Sequence, residues 1–304
     1  MTTLLAAEPR PSTATQQAAC AAELVTCGSL EMSPDRVADV EAIAGLLPVG
    51  TKVYVNHLPR HDIADSMLAL IALRQAGLEP VPHIAARSLK SREELEAFLE
   101  AAAREAGVTN VLVIGGDSPN PRGPYADSIA LLRDGIFTRY GVREVGIAGH
   151  PEGHPRVTTA VLEDSLRAKL DVITKQGLGI YMVTQFSFAP ARVVEYCASM
   201  AREFPALPIH VGLAGPTEPR TLLRFAQRCG VSASLRALKD QGMAAVRLVT
   251  HTDPSEQLAA VAHYCLAHTS CNVVGVHLFS FGGAIKSAEW MRGVIAAEAG
   301  SKGK

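Results

Sequence analysis

The sequence lacks the features that mark membrane-spanning, secreted and nucleic-acid-binding proteins. No apolar run approaches the roughly 18–20 residues of a membrane span. Residues 1–17 have neither the basic segment nor the long apolar segment of a secretory signal. The formal net charge is only −1, so no strong basic surface is indicated for nucleic acid or anionic lipid. We therefore expect a cytoplasmic protein that binds neither nucleic acid nor membrane.

Metal-binding and disulfide patterns are also scarce. The six cysteines contain no Cys-x-x-Cys pair, which favours reduced, buried thiols over a zinc site or a disulfide framework. His150, Glu152 and His154 lie close together in the chain, but a proline follows each histidine, so they do not share one face of a helix or strand. We expect no metal site.

The apolar residues predict eight buried strands that alternate with helices. Aromatic residues make up only 5% of the chain, but hydrophobic residues make up 48%, enough for a large core. The strands are expected at Val25–Met32, Lys52–Asn56, Glu79–His83, Val111–Gly115, Glu144–Ala148, Ile180–Thr184, Ile209–Leu213 and Val273–Phe281. Most are continuous apolar runs, as in parallel strands that are buried on both faces.

Amphipathic helices are expected after each strand. Their ranges are Asp35–Leu47, Asp62–Ala76, Ser91–Ala106, Ala126–Arg133, Thr159–Gln176, Ala189–Phe204, Glu218–Cys229, Ser255–His268 and Gly283–Ala299. Two of them lie between the seventh and eighth strands. This order predicts a single (β/α)8 barrel, an α/β TIM barrel over residues 20–299. Residues 1–19 and 300–304 are expected to be tails.

In such barrels, chemistry is located at the carboxyl ends of the strands. Six predicted strands end in polar or titratable side chains, namely Glu31, Asn56 with His57, His83, Asp117, His150 with Glu152 and His154, and Gln185. This concentration of polar groups predicts a ligand site at the mouth of the barrel.

Two of these strand ends suggest recognition of a heterocycle. Gly115 and Gly116 allow a sharp turn, after which the Asp117 carboxylate could accept hydrogen bonds from the N–H edge of a pterin. Gln185 offers both a donor and an acceptor. The alternatives are that Asp117 caps a turn and that Gln185 is an amide satisfied within the barrel.

The motifs at the strand ends, taken in order, resemble those of the methylenetetrahydrofolate reductase family. They are Leu30-Glu31-Met32-Ser33-Pro34, Pro82-His83, Gly115-Gly116-Asp117-Ser118-Pro119, Tyr125-Ala126-Asp127-Ser128, His150-Pro151-Glu152-Gly153-His154-Pro155 and Thr184-Gln185-Phe186. No single motif is specific, but their order and spacing are. The resemblance covers approximately residues 25–285.

The resemblance implies an oxidoreductase that interconverts 5,10-methylenetetrahydrofolate and 5-methyltetrahydrofolate in one-carbon metabolism. Glu31 would be the general acid that opens the methylene bridge, and Asp117 would hold the pterin and tune the flavin. Gln185 and Phe186 would contact the folate. Because an acid must be protonated to act, a partly apolar site that raises the pKa of Glu31 is expected.

The resemblance also implies FAD and NAD(P)H as cofactors. The implied cofactor-binding residues are Asn56, His57, His83, Gly115, Gly116, Tyr125, Ala148, His150, His154, Lys169 and Lys175. The direction of the reaction, either methyl supply for methionine biosynthesis or methylfolate oxidation, stays open, and the sequence is compatible with a homo-oligomer.

Several positions depart from the family pattern. Gly115 replaces the usual Arg, His150 replaces a Tyr and Asn56 replaces a frequent Thr. The late loop at 230–238 lacks the usual Gln and Phe. The sequence therefore leaves two versions of the enzyme open, one using FAD and one with direct hydride transfer between NAD(P)H and folate. A group-transferring pterin barrel and a folate-binding protein without redox activity are further alternatives.

Other residues have less specific interpretations. His57, Arg60 and His61 form a basic loop that could meet a phosphate or be merely solvated. His210 and His277 lie within strands, which favours core histidines. Gly282-Gly283 could bind a phosphate or form a turn.

Overall fold

Eight parallel strands close into a barrel in chain order, and β1 pairs with β8. The computed structural model describes residues 13–58, 61–228, 231 and 254–301. The strands are β1 Ser29–Met32, β2 Lys52–Val55, β3 Glu79–Ala85, β4 Asn110–Ile114, β5 Glu144–Gly149, β6 Gly179–Thr184, β7 Ile209–Ala214 and β8 Val273–Phe279. The prediction of a (β/α)8 barrel is confirmed.

Helices connect the strands on the outside of the barrel. They are α1 Ala14–Thr26, α2 Val40–Ala44, α3 Met67–Gln75, α4 Arg92–Ala106, α5 Ser128–Arg133, α6 Thr159–Lys175, α7 Pro190–Glu203, α8 Pro219–Arg228, α9 Ser255–Ala267 and α10 Ala284–Ser301. Short 3-10 turns occur at Val37–Asp39, Ile63–Ser66, Ala86–Ser88 and Phe137–Tyr140. Helices α8 and α9 both lie between β7 and β8, as predicted.

The amino-terminal region differs from the sequence-based expectation. Residues 14–19 of the predicted tail, and residues 25–26 of the predicted first strand, belong to helix α1. A capping box between Thr13 and Gln16 starts this helix, and it packs against α9 and α10. The packing explains the difference, because Leu24 and Val25 are buried beneath those helices. Residues 1–12 and 302–304 of the predicted tails lie outside the described residues, as does Arg60 of the basic loop.

One predicted helix start differs from the observed one. A helix was expected from Asp35, but the chain forms a 3-10 turn at Val37–Asp39 before α2. Ser91 caps helix α4, since its hydroxyl accepts from the backbone N–H of Glu94. The Glu94 side chain in turn accepts from the backbone N–H of Lys90.

The two faces of each strand have different surroundings. Side chains such as Leu30, Val53, Val111 and Val276 point outward and are fully buried in the main core beneath the helices. The alternate side chains point into the barrel, because successive residues of a strand face opposite sides. The apolar residues that made the strands recognisable in the sequence are thus mainly those that face the helices, and the polar residues face the barrel interior.

The amino-terminal half of the barrel interior is a connected polar network. The Tyr54 hydroxyl donates to Tyr181 at 2.9 Å, and Tyr181 donates to Asn110 Oδ1 at 2.8 Å. Asn110 Nδ2 then donates to Glu144 Oε2 at 2.9 Å, and Lys52 Nζ lies 3.3 Å from the same oxygen. Each of these five side chains has a partner, which offsets the cost of burying its polar atoms.

The size of the Tyr181 ring is accommodated by a glycine on the neighbouring strand. A Cβ atom at Gly146 would lie 2.7 Å from the ring and hydroxyl atoms of Tyr181. A side chain at position 146 would therefore displace Tyr181 from the polar network.

Among the described residues, none of the helices combines the length and apolar character that a membrane crossing requires.

The burial of His210 in the barrel interior can be tested by its effect on the stability of the protein at acidic pH. Burial, helped by the charge of Lys52, lowers the pKa of His210 from 6.5 to about 3. The unfolded chain therefore binds a proton at this position as the pH falls below about 6.5, whereas the folded protein does not, and stability is lost over that window. We expect His210→Asn to reduce the slope of unfolding free energy against pH between 6 and 4 by about 1.4 kcal/mol per pH unit.

Urea unfolding at several pH values measures that slope. His263→Gln is the matched control, because His263 is exposed on α9. An unchanged slope in His210→Asn would show that His210 is protonated in the folded barrel.

Candidate functional site

Glu31 occupies the centre of a cluster of titratable side chains in the carboxyl-terminal half of the barrel interior. Its Oε1 atom lies 3.5 Å from His277 Nε2 and 3.8 Å from His83 Nε2. The three residues come from β1, β8 and β3. The His83 and Glu31 side chains are 9% and 12% exposed, and that of His277 is 0% exposed, so little of the cluster is accessible to water.

His277 is held from its other side by Ser29. Ser29 Oγ lies 2.9 Å from His277 Nδ1, and the ring packs edge-on against Tyr54 and Phe279. A carboxylate accepts hydrogen bonds but cannot donate them, so the tautomer with hydrogen on Nε2 suits the Glu31 contact. In that tautomer the Ser29 hydroxyl donates to Nδ1. Ser29 thus orients His277, and His277 Nε2 faces the carboxyl group at 3.5 Å.

The electrostatics of Glu31 correct the expectation from sequence. Burial acts to raise the pKa of Glu31, but the contacts with His277, His83 and Asn56 together lower it below its ordinary value. The sequence-based expectation of a raised pKa was wrong, because it did not include the two histidines. Burial lowers the pKa of His83 itself to about 4, so that ring is neutral at neutral pH.

Several buried polar atoms around Glu31 have no hydrogen-bond partner among the described residues. They are Asn56 Oδ1, His57 Nε2, His83 Nε2 and His277 Nε2. Buried polar groups in folded proteins are nearly always satisfied, so such a concentration indicates a place where a ligand completes the hydrogen bonding. Asn56 and His57 follow β2, and the backbone N–H of Ala85 donates to His57 Nδ1 at 3.4 Å.

The loop after β4 is held in place by Arg87. Its guanidinium group donates to the backbone oxygens of Ser118, Pro119 and Ala126. Gly116 in this loop has φ +88°, a left-handed conformation that favours glycine. Asp117 follows as an exposed residue and interacts electrostatically with His154. The expected Asp117 carboxylate therefore lies at the mouth on a loop that one arginine organises.

A cavity of about 510 Å³ lies between the end of β5 and helices α6 and α7. Ala148, His150 and Lys169 line it together with Arg192 and Tyr196. Lys169 is mostly buried and forms no ion pair with another described residue, and burial lowers its pKa. The Asp127 carboxylate acts against that shift, and the cavity lining also includes Glu152, Glu163 and Glu203, so the cavity contains groups of both charges.

Other expected site residues lie elsewhere. Tyr125 is buried outside the barrel, where its hydroxyl donates to Asp134 at 2.7 Å. Phe186 is fully buried in an aromatic cluster with Phe188 and Phe279. Lys175 is exposed at the last residue of α6, where it pairs with Asp171.

Gln185 stays at the mouth, directly after β6. Its Oε1 atom accepts from the backbone N–H of Phe186 at 3.1 Å, which leaves the amide NH2 group available to a ligand. The loop at 230–238 lies outside the described residues except for Val231.

The positions of His277, Ser29 and Arg87 at the site were not predicted from the sequence. One signal was available for Ser29, because Ser29 and Glu31 have the same parity in β1 and therefore share a face. The pairing of Ser29 with His277 requires closure of the barrel, since the two residues are 248 positions apart. No group of three or more His, Cys, Asp or Glu residues in the described ranges is arranged to hold a metal ion.

Solved structures with a similar fold include three enzymes of low sequence identity. A 3-dehydroquinate dehydratase from Geobacillus kaustophilus is 14% identical, with a TM-score of 0.39, over 62% of this chain and 74% of its own. Dihydropteroate synthases from Thermus thermophilus and Coxiella burnetii are 13% and 10% identical, with TM-scores of 0.43 and 0.44. They match over 89% and 90% of this chain and 92% of their own chains. None of these similarities bears on function.

The family comparison is more specific. The family model described as methylenetetrahydrofolate reductase matches residues 38–281, which is most of the chain and most of the barrel. The resemblance seen in the strand-end motifs is thereby confirmed, and the chain belongs to the methylenetetrahydrofolate reductase family.

Proposed function

We propose that this protein is a folate oxidoreductase that interconverts 5,10-methylenetetrahydrofolate and 5-methyltetrahydrofolate. The observation that carries the proposal is the Glu31 carboxyl group, which is buried between His83 and His277 near the carboxyl end of β1. A barrel that only binds folate has no need of a buried carboxyl group flanked by two histidines. Membership of the family gives independent support.

Glu31 would deliver the proton that opens the methylene bridge. Protonation of a bridging nitrogen turns it into a leaving group and produces an iminium ion on the folate, which a hydride then reduces. Because the pKa of Glu31 is lowered in the ligand-free protein, the carboxyl group must regain a proton. A folate ring that covers the mouth would exclude water and favour the neutral acid, so the proton would be taken up from solvent at the mouth as the folate binds.

Asp117 and Gln185 would orient the folate from two nearby loops of the mouth. Asp117 follows β4 and Gln185 follows β6, so β5 lies between them in the barrel order. The carboxylate can accept from the N–H groups of the pterin edge, and the free amide NH2 of Gln185 can donate to an acceptor. Their separation on two loops suits a planar ring that lies across the barrel.

The described residues fit part of a nucleotide cofactor. The 510 Å³ cavity has three glutamates in its lining, but it also has the cations Lys169 and Arg192 together with Ala148 and His150. These residues would hold the phosphate and sugar portion of FAD, with Gly115 and Gly116 allowing close approach at the mouth. A bound flavin would supply hydride transfer between NAD(P)H and the folate.

Direct hydride transfer from NAD(P)H is the second version, and two observations favour it. Gly115 stands where an Arg is usual in the family, and a Cβ atom at this position would meet nothing within 4 Å. The Tyr125 hydroxyl is occupied by Asp134, outside the barrel. Position 115 thus offers no cation and Tyr125 no hydroxyl to a cofactor at the mouth, and in this version the nicotinamide would occupy the flavin's place.

The proton-donor role is tested by Glu31→Gln. This change keeps the size of the side chain and removes the titratable group, so we expect reduction of methylenetetrahydrofolate to fall by about 100-fold or more. Folate binding, measured by fluorescence titration, should change by less than about tenfold, since the uncharged amide keeps the shape of the site. Glu105→Gln, on the exposed surface of α4, is the control. Turnover of Glu31→Gln at the control rate would refute the assignment.

The effect of His277 on Glu31 is tested by the pH dependence of turnover in the His277→Asn variant. Because Glu31 acts in its protonated form, kcat should fall as the pH rises through the pKa of Glu31 in the complex. His277 lowers that pKa, so its removal should move the descending limb to higher pH, in addition to any loss of rate. Measurement of kcat across the acidic and neutral pH range checks this. An unchanged limb would mean that His277 has only a packing role.

The cofactor site is tested by comparing two lysines of α6. Lys169→Ala removes a charge from the cavity and should weaken FAD binding by about 10- to 100-fold, since a bond to a charged group contributes about 1.5–3 kcal/mol. Lys175 lies at the exposed end of the same helix, so the Lys175→Ala variant should bind FAD normally. FAD titration monitored by flavin fluorescence measures both. Failure of the unaltered protein to bind FAD, with turnover by NAD(P)H alone, would establish direct transfer.

A further inference from the structure

Two cysteines outside the candidate site form a close pair of thiols. Cys265 lies near the end of α9, and Cys271 lies in the connection just before β8. Their Sγ atoms are 2.8 Å apart, and both are free and partly exposed. Buried thiols that serve only for packing do not need such a contact, so the pair calls for a chemical explanation.

The connection between the two cysteines is fixed at both ends. The backbone N–H of His268 donates to Tyr264, and that of Cys271 donates to His268. Asn272 anchors the next position, because its Nδ2 atom donates to the backbone oxygens of Phe204 and Leu207. The two sulfur atoms are therefore held near each other by the backbone of the folded protein.

Two further thiols lie close enough to influence this pair. Cys20 on α1 and Cys197 on α7 both act electrostatically on Cys265. Cys197 is buried, whereas Cys20 is partly buried and its thiol contacts the backbone oxygen of Ala262. These four thiols do not form a metal site among the described residues.

We propose that Cys265 and Cys271 form a reversible disulfide, a two-electron redox modification site that is separate from the folate site. The oxidant would be a small disulfide. The Cys271 thiolate attacks one sulfur of that disulfide, its S–S bond breaks, and one small thiolate leaves. Cys265 then attacks the Cys271 sulfur and releases the second. The two protein thiols are oxidised, the small disulfide is reduced to two thiols, and the two protons pass to them.

The two cysteines have different roles in this exchange because their thiols ionise differently. The contact with the Cys265 thiol and the backbone N–H of Val273 lower the pKa of Cys271, while the same contact and burial raise the pKa of Cys265. A thiolate is the attacking species in exchange, so Cys271 is the first nucleophile and Cys265 resolves the mixed disulfide. Closing the bond requires the sulfurs to approach by less than about 1 Å.

Oxidised glutathione is the probe for this proposal. The reduced full-length protein is incubated with it, blocked with an alkylating agent and digested without reductant. We expect a peptide pair joined through Cys265 and Cys271, with full recovery of both thiols after reduction. Cys265 and Cys271 both alkylated after the incubation, or a crosslink that joins either one to Cys20 or Cys197, would overturn the proposal. This experiment needs no variant.

Two variants test the order of attack. Cys265→Ser should accumulate a stable glutathione adduct on Cys271, because the resolving thiol is missing. Cys271→Ser should form an adduct on Cys265 at least about tenfold more slowly, because less of that thiol is ionised. Cys27→Ser is the matched control, because Cys27 is exposed and its loss should leave the crosslink unchanged. Equal adduct formation in the two variants would contradict the assigned roles.

Discussion

Closure of eight parallel strands places every second side chain in a narrow interior, and the chemistry of this protein depends on that constraint. The interior faces carry carboxylates, histidines, tyrosines and amides in addition to apolar side chains. Water is largely excluded there, so each polar group needs a partner from another strand. Residues far apart in the chain, such as Ser29 and His277, become hydrogen-bond partners because β1 and β8 are neighbours.

The two ends of the interior meet this requirement differently. At the amino-terminal end, Tyr54, Tyr181, Asn110, Glu144 and Lys52 satisfy one another in a continuous chain of contacts. At the carboxyl-terminal end, polar atoms around Glu31 keep unused hydrogen-bonding capacity. A satisfied network rigidifies the barrel, whereas an unsatisfied one needs a ligand. This division explains why the stable end and the reactive end can be built from similar residue types.

The mouth combines precise loops with open space. Arg87 uses its guanidinium donors on three backbone oxygens, which fixes the loop that carries Asp117 without providing a charge to a ligand. Lys169 lines the cavity between β5, α6 and α7, where it forms no ion pair with another described residue. The first cation therefore organises a loop, whereas the second faces open space.

The fold class, the family and the placement of Glu31, Asp117 and Gln185 at strand ends all follow from the amino-acid sequence, because burial periodicity and strand polarity are local properties. Helix α1 was missed, since its burial depends on α9 and α10, which are distant in the chain. Motif order does not specify the direction of a side chain, so it could not show that Lys175 points to solvent. Barrel closure sets the charge state of Glu31, because the pKa of a carboxyl group depends on which charges lie within a few ångströms. Closure also separates two strand histidines, since His277 lies on the level of Glu31 whereas His210 packs against Tyr181 deeper in the barrel.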